Sequence, residues 1–249
     1  MRKRWLMLLL LSLAGGPVWA AQAVQVAVAA NFLSTVRVLA ADFTHRTGTP
    51  VRISVGSTGK LYAQIENGAP YDVFLAADAR RPGLLQDDGL TGPGQPFTYA
   101  VGQLVLWSPN PKWLQGMPGA LSNPTFQRLA IANPQTAPYG SAARAVLERL
   151  GYWDKLQSVM VRGENIGQAF QFVATGNAQL GFVALSQVLA LKGTSHKYWT
   201  VPPDLYEPIN QQAVALSNGD NPLGGQAFLR YLRSPAARRI IRSAGYGLP

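Results

Sequence analysis

Apolar and polar positions along the chain form alternating strand and helix patterns. The most informative stretch is 51–78, where a β-branched run over 51–55 ends in the turn GSTG (56–59) and continues as a helix. A helix start leaves N–H groups unpaired and is the positive end of the helix dipole. The hydroxyls of Ser57 and Thr58 therefore predict a place for an anion. For a single isolated turn, an ordinary helix N-cap is the favoured interpretation, so the prediction depends on whether the arrangement recurs.

The same arrangement recurs twice with variations. An apolar strand over 24–30 precedes Asn31, a good N-cap, and a helix with an apolar stripe follows. A second strand, over 129–132, leads through a proline-containing loop to a helix that starts near Tyr139 and ends near Leu150. Both cases predict a polar helix start directly after a buried strand.

A weaker fourth case is the loop 164–167, which contains Ile166 and precedes a predicted helix over 168–175. In open α/β sheets, ligands bind at the carboxyl ends of the strands. Four strand-to-helix loops in one chain therefore predict convergence on a single pocket.

The alternation of strands and helices predicts an α/β fold with two lobes and a ligand cleft between them. Two long strand-like runs, 97–109 and 207–218, are the candidates for crossings between the lobes. They predict one lobe from residues 22–100 plus 210–249, and a second lobe from residues 101–209.

The first 21 residues have the pattern of a cleavable signal peptide: basic residues at 2–4, an apolar run over 5–13, and a small-residue cleavage context at 18–20. The sequence contains no cysteine, so it predicts neither a disulfide nor an anchor acylated on cysteine. A freely soluble protein of the bacterial periplasm is the simplest interpretation.

The formal net charge is +10, from 22 Lys and Arg against 12 Asp and Glu. A basic protein attracts anions. The basic residues are scattered, however, and the one cluster, over 230–242, has the spacing of a solvated helix face. Nucleic acid is therefore not an expected partner.

The sequence offers little for catalysis. His45 and His196 lie in polar contexts without metal-ligand spacing, and Ser57 lacks the G-x-S-x-G pattern of a hydrolase nucleophile. Asp72 and Asp78 would be about 20 Å apart along a strand, too far for a glycosidase pair. We expect no enzyme activity, no catalytic residue, no cofactor and no ligand for a metal cation.

What the sequence does offer is hydrogen-bond donors, and these suit a tetrahedral dianion. Each oxygen of such an anion can accept more than one hydrogen bond, and several helix starts together can satisfy all four while their dipoles offset the charge. A cavity lined only by donors also disfavours an anion of the wrong size or with a proton.

Four segments of the chain stand out together: ANFLST (30–35), GSTGKLYAQIENGAPYDVFLAAD (56–78), NPQTAPYG (133–140) and LGFVALSQ (180–187). In this order and over essentially the whole mature chain, they closely resemble the periplasmic molybdate-binding protein (ModA) family of the molybdate ABC importer. The resemblance implies a type II solute-binding fold that holds molybdate or tungstate in the cleft without a cationic side chain. It also implies a membrane permease as partner, and we expect a monomer.

The resemblance also implies roles for individual residues. Asn31 stands at a ligand position of the first loop, and Thr58 stands where the family has a ligand hydroxyl. Tyr139 and Ile166 stand at positions that contribute a backbone N–H to the anion. Ser57 is either a further ligand or a cap of its own turn.

The sequence departs from the family pattern at three positions. Thr58 replaces a serine of the turn, and its extra methyl group is expected to narrow the cavity. Ala30 replaces a threonine of one branch, and Ala184 replaces a tyrosine whose phenol donates to the anion in another branch; Tyr139 is expected to compensate. The alternatives are a receptor on the same fold for another oxyanion or a small acid and, less favoured, a periplasmic serine hydrolase built around Ser57.

Overall fold

The computed structural model describes residues 22–122, 125–191 and 197–249. The predicted signal peptide, residues 1–21, and His196 lie outside the described residues. No helix within these ranges combines the length and the apolar character that a membrane span requires.

The described residues form ten strands and nine α-helices, and a 3₁₀ turn, Ala30–Phe32, joins the first strand to the first helix. The strands are β1 (Val24–Ala29), β2 (Val51–Gly56), β3 (Val73–Leu75), β4 (Phe97–Gly102), β5 (Leu104–Trp107), β6 (Leu129–Ala132), β7 (Met160–Gly163), β8 (Leu180–Ala184), β9 (Tyr198–Thr200) and β10 (Ile209–Ala215). The helices are α1 (Leu33–Thr47), α2 (Thr58–Glu66), α3 (Arg80–Asp87), α4 (Pro138–Arg149), α5 (Trp153–Leu156), α6 (Ile166–Ala174), α7 (Leu185–Leu189), α8 (Pro222–Leu232) and α9 (Pro235–Ser243).

The first sheet has the strand order β2-β1-β3-β10-β4. β1 is parallel to β2 and β3, whereas β10 is antiparallel to β3 and β4. Both faces are covered: Val26 and Val28 lie in a core with α1, α8 and α9, and Ala27 lies in a core with α2 and α3. Because neighbouring strand residues point to opposite faces, a strand buried on both sides is apolar at nearly every position.

The second sheet has the strand order β7-β6-β8-β5-β9. β6 is parallel to β7 and β8, and β5 is antiparallel to β8 and β9. Its core brings together Ile131 of β6, Val146 of α4 and Phe170 of α6. Phe170 also stacks on Trp107 of β5 with ring centroids 5.2 Å apart. The two mixed sheets with their helices confirm the predicted α/β class.

The chain passes from the first sheet to the second between β4 and β5, which only Gln103 separates, and returns between β9 and β10. The predicted run over 97–109 is therefore divided into two strands of different sheets. β4 and β10 lie side by side, with Ile209 opposite Gly102. A Cβ at Gly102 would lie 2.2 Å from the Tyr139 hydroxyl oxygen, so this crossing requires glycine.

Asp72 connects the first strand to the C-terminal segment. It is 1% exposed. One carboxylate oxygen accepts a hydrogen bond from the backbone N–H of Gln25 at 2.7 Å, and the other accepts from the backbone N–H of Asn221 at 2.6 Å. The side chain thereby fixes the loop that enters α8 against the start of β1.

We expect Asp72→Ala to lower the free energy of unfolding by about 3 kcal/mol, because two N–H groups lose a charged acceptor. Urea denaturation measures the change. The control is Asp220→Ala, which alters an exposed carboxylate in the same segment and should change the free energy by less than about 0.5 kcal/mol. Equal losses in the two variants would contradict this role of Asp72.

Candidate functional site

A small cavity lies where the carboxyl ends of strands from the two sheets face each other. Only about 10 Å³ of it is open to the centre of a water molecule, far below the roughly 300–1,000 Å³ of sites for drug-sized ligands. Its lining comes from residues 29–31, 56–58, 137–139 and 165–166, together with Ala77. All five residues that the sequence singled out line this one cavity: Asn31, Ser57, Thr58, Tyr139 and Ile166.

The four loops have a common origin. Two follow β1 and β2, which are parallel neighbours in the first sheet. The other two follow β6 and β7, which are parallel neighbours in the second sheet. Parallel strands end at the same edge of a sheet, so each lobe presents two helix or turn starts to the cavity. A small ligand there would contact both lobes.

The hydroxyls of Ser57 and Thr58 are placed as donors. Ser57 caps α2, and its oxygen accepts a hydrogen bond from the backbone N–H of Lys60 at 3.3 Å. The hydroxyl oxygen of Thr58 accepts from the backbone N–H of Ala77 at 3.1 Å. A hydroxyl that accepts one bond keeps its own proton. Both buried hydroxyls can therefore donate to an acceptor in the cavity.

Backbone donors come from α4 and α6. Tyr139 lies in the first turn of α4 and Ile166 in the first turn of α6, where N–H groups have no partner within the helix. Asn165 caps α6 by accepting a bond from the backbone N–H of Gln168 at 3.0 Å. The predicted start of this helix at residue 168 was two residues late, because the cap residue is Asn165.

Asn31 is not the N-cap that the sequence predicted. It lies within the 3₁₀ turn before α1, and no side-chain cap bond forms there. Its Nδ2 instead donates to Oε1 of Gln211 at 2.9 Å and to the hydroxyl of Tyr246 at 3.1 Å. Within the described residues, its buried Oδ1 has no hydrogen-bond partner. Long-range polar contacts have taken the place of local capping.

The phenol of Tyr139 lies towards the lobe crossing. Its oxygen accepts a hydrogen bond from Nε2 of Gln211 at 3.4 Å, and neither Gln211 nor the adjacent Gly102 lines the cavity. Ala30 does line the cavity, whereas the buried Ala184 does not. The expectation that the Tyr139 phenol replaces the one missing at Ala184 finds no support in this geometry, because that hydroxyl is directed to Gln211.

Sequence reasoning missed the polar side chains behind the cavity: Gln211, Tyr99, Tyr246 and Ser186. They are buried and joined by hydrogen bonds. A signal was present for Gln211. It shares a strand face with Ile209 and Ala213, both of which are buried, so a carboxamide at that position was exceptional.

Few groups at this site could bind a metal ion or act as a nucleophile. Across residues 22–122, 125–191 and 197–249, His, Cys, Asp and Glu side chains form no group of three or more that could hold a metal ion. His45 is exposed on α1, and the Ser57 hydroxyl serves as the cap of α2. The lining is one of neutral donors, which favours binding of an anion over a reaction.

Two α/β lobes around a small donor-lined cavity define the class of the molecule, a two-lobe solute-binding protein. The family model "Bacterial extracellular solute-binding protein" matches residues 24–247. The molybdate-binding protein ModA of Azotobacter vinelandii is 53% identical over 233 residues, covering 92% of each chain. That of Rhodobacter capsulatus is 46% identical over 227 residues, covering 91% of this chain and 89% of the relative.

A solved structure agrees with these relatives. The periplasmic molybdate-binding protein of Azotobacter vinelandii superposes with a TM-score of 0.87 at 44% identity, and the match covers 91% of this chain and 99% of that chain. The chain belongs to the ModA family of bacterial extracellular solute-binding proteins. This confirms the predicted family and the two-lobe type II fold. Since the family consists of binding proteins, it also confirms that the chain is not an enzyme.

Burial raises the pKa of the phenols of Tyr99, Tyr139 and Tyr246 above that of free tyrosine. These phenols stay neutral in the folded protein, whereas tyrosines of the unfolded chain ionise at about pH 10. The stability they contribute is therefore fully present below about pH 10 and is lost as the pH rises towards the folded pKa.

We expect the free energy of unfolding to fall above about pH 10, and to fall less steeply in Tyr139→Phe, by up to about 1.4 kcal/mol per pH unit. Chemical denaturation at a series of alkaline pH values measures both slopes. Identical slopes in the wild-type protein and the variant would show that the Tyr139 phenol does not stay neutral on folding.

Proposed function

We propose that the protein captures molybdate in the cavity between its lobes and delivers it to the membrane permease of an ABC importer. One observation carries this proposal: neutral donors from two loops of each lobe line one small cavity. The names of the relatives at 53% and 46% identity support molybdate as the ligand.

In this proposal, Ser57 and Thr58 donate through their hydroxyls, while Tyr139 and Ile166 donate through their backbone N–H groups. Asn31 contributes from the turn that leads into α1. Among the described residues that line the cavity there is no Lys or Arg, so the dipoles of the helix starts offset the charge of the anion. Each donor adds a hydrogen bond to a charged group, worth about 1.5–3 kcal/mol.

Tungstate has the same shape and charge as molybdate, and we propose that it binds in the same way. Donors at fixed positions discriminate by size, since an anion with shorter bonds leaves some of them unpaired, at a cost of about 1–3 kcal/mol each. Sulfate, which is smaller, should therefore bind far more weakly. The remaining alternative is a different oxyanion, admitted by the exchange of a hydroxyl for the methyl group of Ala30.

The ligand bridges the lobes and shifts them towards the closed arrangement that the permease recognises. We propose residues 22–100 plus 210–249 as one lobe and 101–209 as the other. The mature protein is a periplasmic monomer, released by cleavage of the signal peptide at 1–21 and not lipid-anchored.

Contacts across the cleft support this closure. The backbone N–H of Gly59 donates to the carbonyl of Thr136 at 2.8 Å. Nearby, Lys60 pairs with Glu164 at 2.6 Å, and both side chains are more than half exposed. Lys60 lies on α2, and Glu164 directly follows β7. The ion pair therefore joins the two lobes beside the cavity.

Calorimetric titration of the mature protein with molybdate, tungstate and sulfate tests the proposed ligand. We expect tight one-to-one binding of the first two and weak or no binding of sulfate. Binding of sulfate as tight as that of molybdate would overturn the size argument. Absence of binding heat with both molybdate and tungstate would overturn the assignment of these anions as ligands.

We expect Thr58→Val to weaken molybdate binding by about 1.5–3 kcal/mol, about 10- to 150-fold, because one donor to the anion is lost without a change of shape. The control is Thr58→Ser, which keeps the hydroxyl and should bind within about 3-fold of wild type, within the scatter of such contacts. Unchanged molybdate affinity in Thr58→Val would show that the Thr58 hydroxyl does not bind the anion.

We expect Glu164→Gln to speed molybdate release by up to about 5-fold, because an exposed ion pair is worth less than about 1 kcal/mol. Stopped-flow tryptophan fluorescence measures the rate. The control is Glu148→Gln, which breaks an exposed pair with Arg144 within α4 of a single lobe and should leave the release rate unchanged. Equal effects of the two substitutions would show that the pair across the cleft does not act on closure.

A further inference from the structure

A chain of buried polar side chains lies directly behind the cavity. At its centre is Gln211, which is 0% exposed. Its Oε1 accepts from Nδ2 of Asn31 at 2.9 Å and from the hydroxyl of Tyr99 at 3.1 Å, and its Nε2 donates to the hydroxyl of Tyr139 at 3.4 Å. Gln211 thus connects the first loop of one lobe to the first helix turn of the other.

Asn31 lies between this chain and the cavity. Both protons of its amino group are engaged, by Gln211 and by Tyr246, and neither of those residues lines the cavity. The remaining side-chain atom is Oδ1, which has no partner in the part of the chain that the structure describes. A carbonyl oxygen of this kind opposes an oxyanion, because both atoms are acceptors.

A carboxamide can exchange its two ends by a half-turn about its terminal bond, with almost no change of shape. If Asn31 and Gln211 rotate together, the bond between them is kept in reverse, with Nε2 of Gln211 donating to Oδ1 of Asn31. Oε1 of Gln211 then accepts the proton of the Tyr139 hydroxyl. Tyr99 remains satisfied because its hydroxyl can donate to the carbonyl of Ala76, 3.3 Å away.

The rotated pair differs from the first arrangement in one respect that matters for the ligand. Asn31 now presents its amino group where the unpartnered oxygen was, and its Oδ1 takes the place of Nδ2 beside the Tyr246 hydroxyl. The one proton of that hydroxyl, which the Asn31 backbone carbonyl accepts at 2.8 Å, can turn to Oδ1, because the Ser186 hydroxyl can donate to the same carbonyl from 3.2 Å. A buried amino group without an acceptor is costly, and an oxyanion in the cavity provides that acceptor. Ligand binding would therefore favour the rotated pair.

The backbone around Gln211 fixes it in this position. The register between β10 and β4 shifts between Gln211 and Gln212, because β4 has an extra residue there, Tyr99. A bulge of this kind re-aims a side chain, and here it lies opposite Gln211, to which the Tyr99 hydroxyl donates at 3.1 Å. A Cβ at Gly102 would lie 2.8 Å from Nε2 of Gln211 and 2.2 Å from the Tyr139 hydroxyl. The two side chains can meet only because Gly102 has no Cβ.

We propose that Gln211 is a positioning residue for anion binding: it sets whether Asn31 presents its carbonyl oxygen or its amino group to the cavity, and the anion drives both carboxamides to rotate. This inference rests on the proposed function. It assigns to Gln211 a role that requires a group able both to donate and to accept.

Two substitutions separate this role from simple packing. Gln211→Glu keeps the shape but, when ionised, only accepts, and so holds the Asn31 amino group away from the anion. Gln211→Met removes the partner in both arrangements and leaves Asn31 free to rotate. We expect Gln211→Glu to bind molybdate about 10- to 100-fold more weakly than Gln211→Met, the loss of one bond to a charged ligand.

A double-mutant cycle removes the effect of the added charge. In an Asn31→Ala background, the difference between the Glu and Met variants should fall to a few-fold, because Asn31 carries the effect. Gln212→Glu, at the neighbouring carboxamide of β10, is the matched control and should bind molybdate within about 3-fold of wild type. The proposal would be overturned if the ratio of molybdate affinities between the Glu and Met variants were the same in both backgrounds. It would also be overturned if Gln211→Met weakened binding as much as Gln211→Glu.

A spectroscopic readout on the wild-type protein does not depend on how the variants fold. Without molybdate, the Gln211 amino protons should show nuclear Overhauser effects to the Tyr139 ring. With saturating molybdate, these should be replaced by effects to the Tyr99 ring. If molybdate binds but the Overhauser effects do not change, the proposed rotation of the carboxamides is overturned while the proposed function stands. If the wild-type protein does not bind molybdate, the proposed function itself is overturned.

Discussion

A divalent anion that leaves water has to regain a hydrogen bond at each of its oxygens, and the architecture follows from this requirement. One helix start offers only a few donors in one direction, so a tetrahedral ligand needs several starts that face one another. Two parallel strands in each sheet, β1 with β2 and β6 with β7, each end in such a start. The carboxyl ends of these strands therefore have to face each other, and they do so across the cleft between the lobes.

The same requirement explains the polar core at the lobe crossing. Side chains that approach the ligand from behind are buried, so they satisfy one another: Tyr246 donates to the backbone carbonyl of Asn31 and contacts the hydroxyl of Ser186, both at 2.8 Å. Phe32 packs edge-on against Tyr99 and Tyr246, with ring centroids 4.8 and 5.1 Å away. The aromatic packing keeps the phenols in place, and the hydrogen bonds between the lobes pass through them.

The sequence predicted those features of the site that depend on local chemistry. Ser57 and Thr58 could be placed at a helix start because the turn, the cap and the helix all lie within a few residues. The position of Asn31 was predicted, but its cap role was wrong, because the partners of its side chain, Gln211 and Tyr246, lie 180 and 215 residues away. No local pattern encodes such contacts. The strand order of the two sheets could not be predicted for the same reason.

Gln103 alone separates a strand of one lobe from a strand of the other. So short a tether keeps the facing loops at a high effective concentration whether the cleft is open or closed. Closure is then an intramolecular step, and it escapes the loss of translational freedom that two separate domains would incur. Contacts that are individually weak, such as an exposed ion pair and a few backbone hydrogen bonds, are enough to complete it. Under the proposed function, the single-residue connection lets the receptor hold its ligand through several weak contacts, each of which breaks readily when the lobes separate.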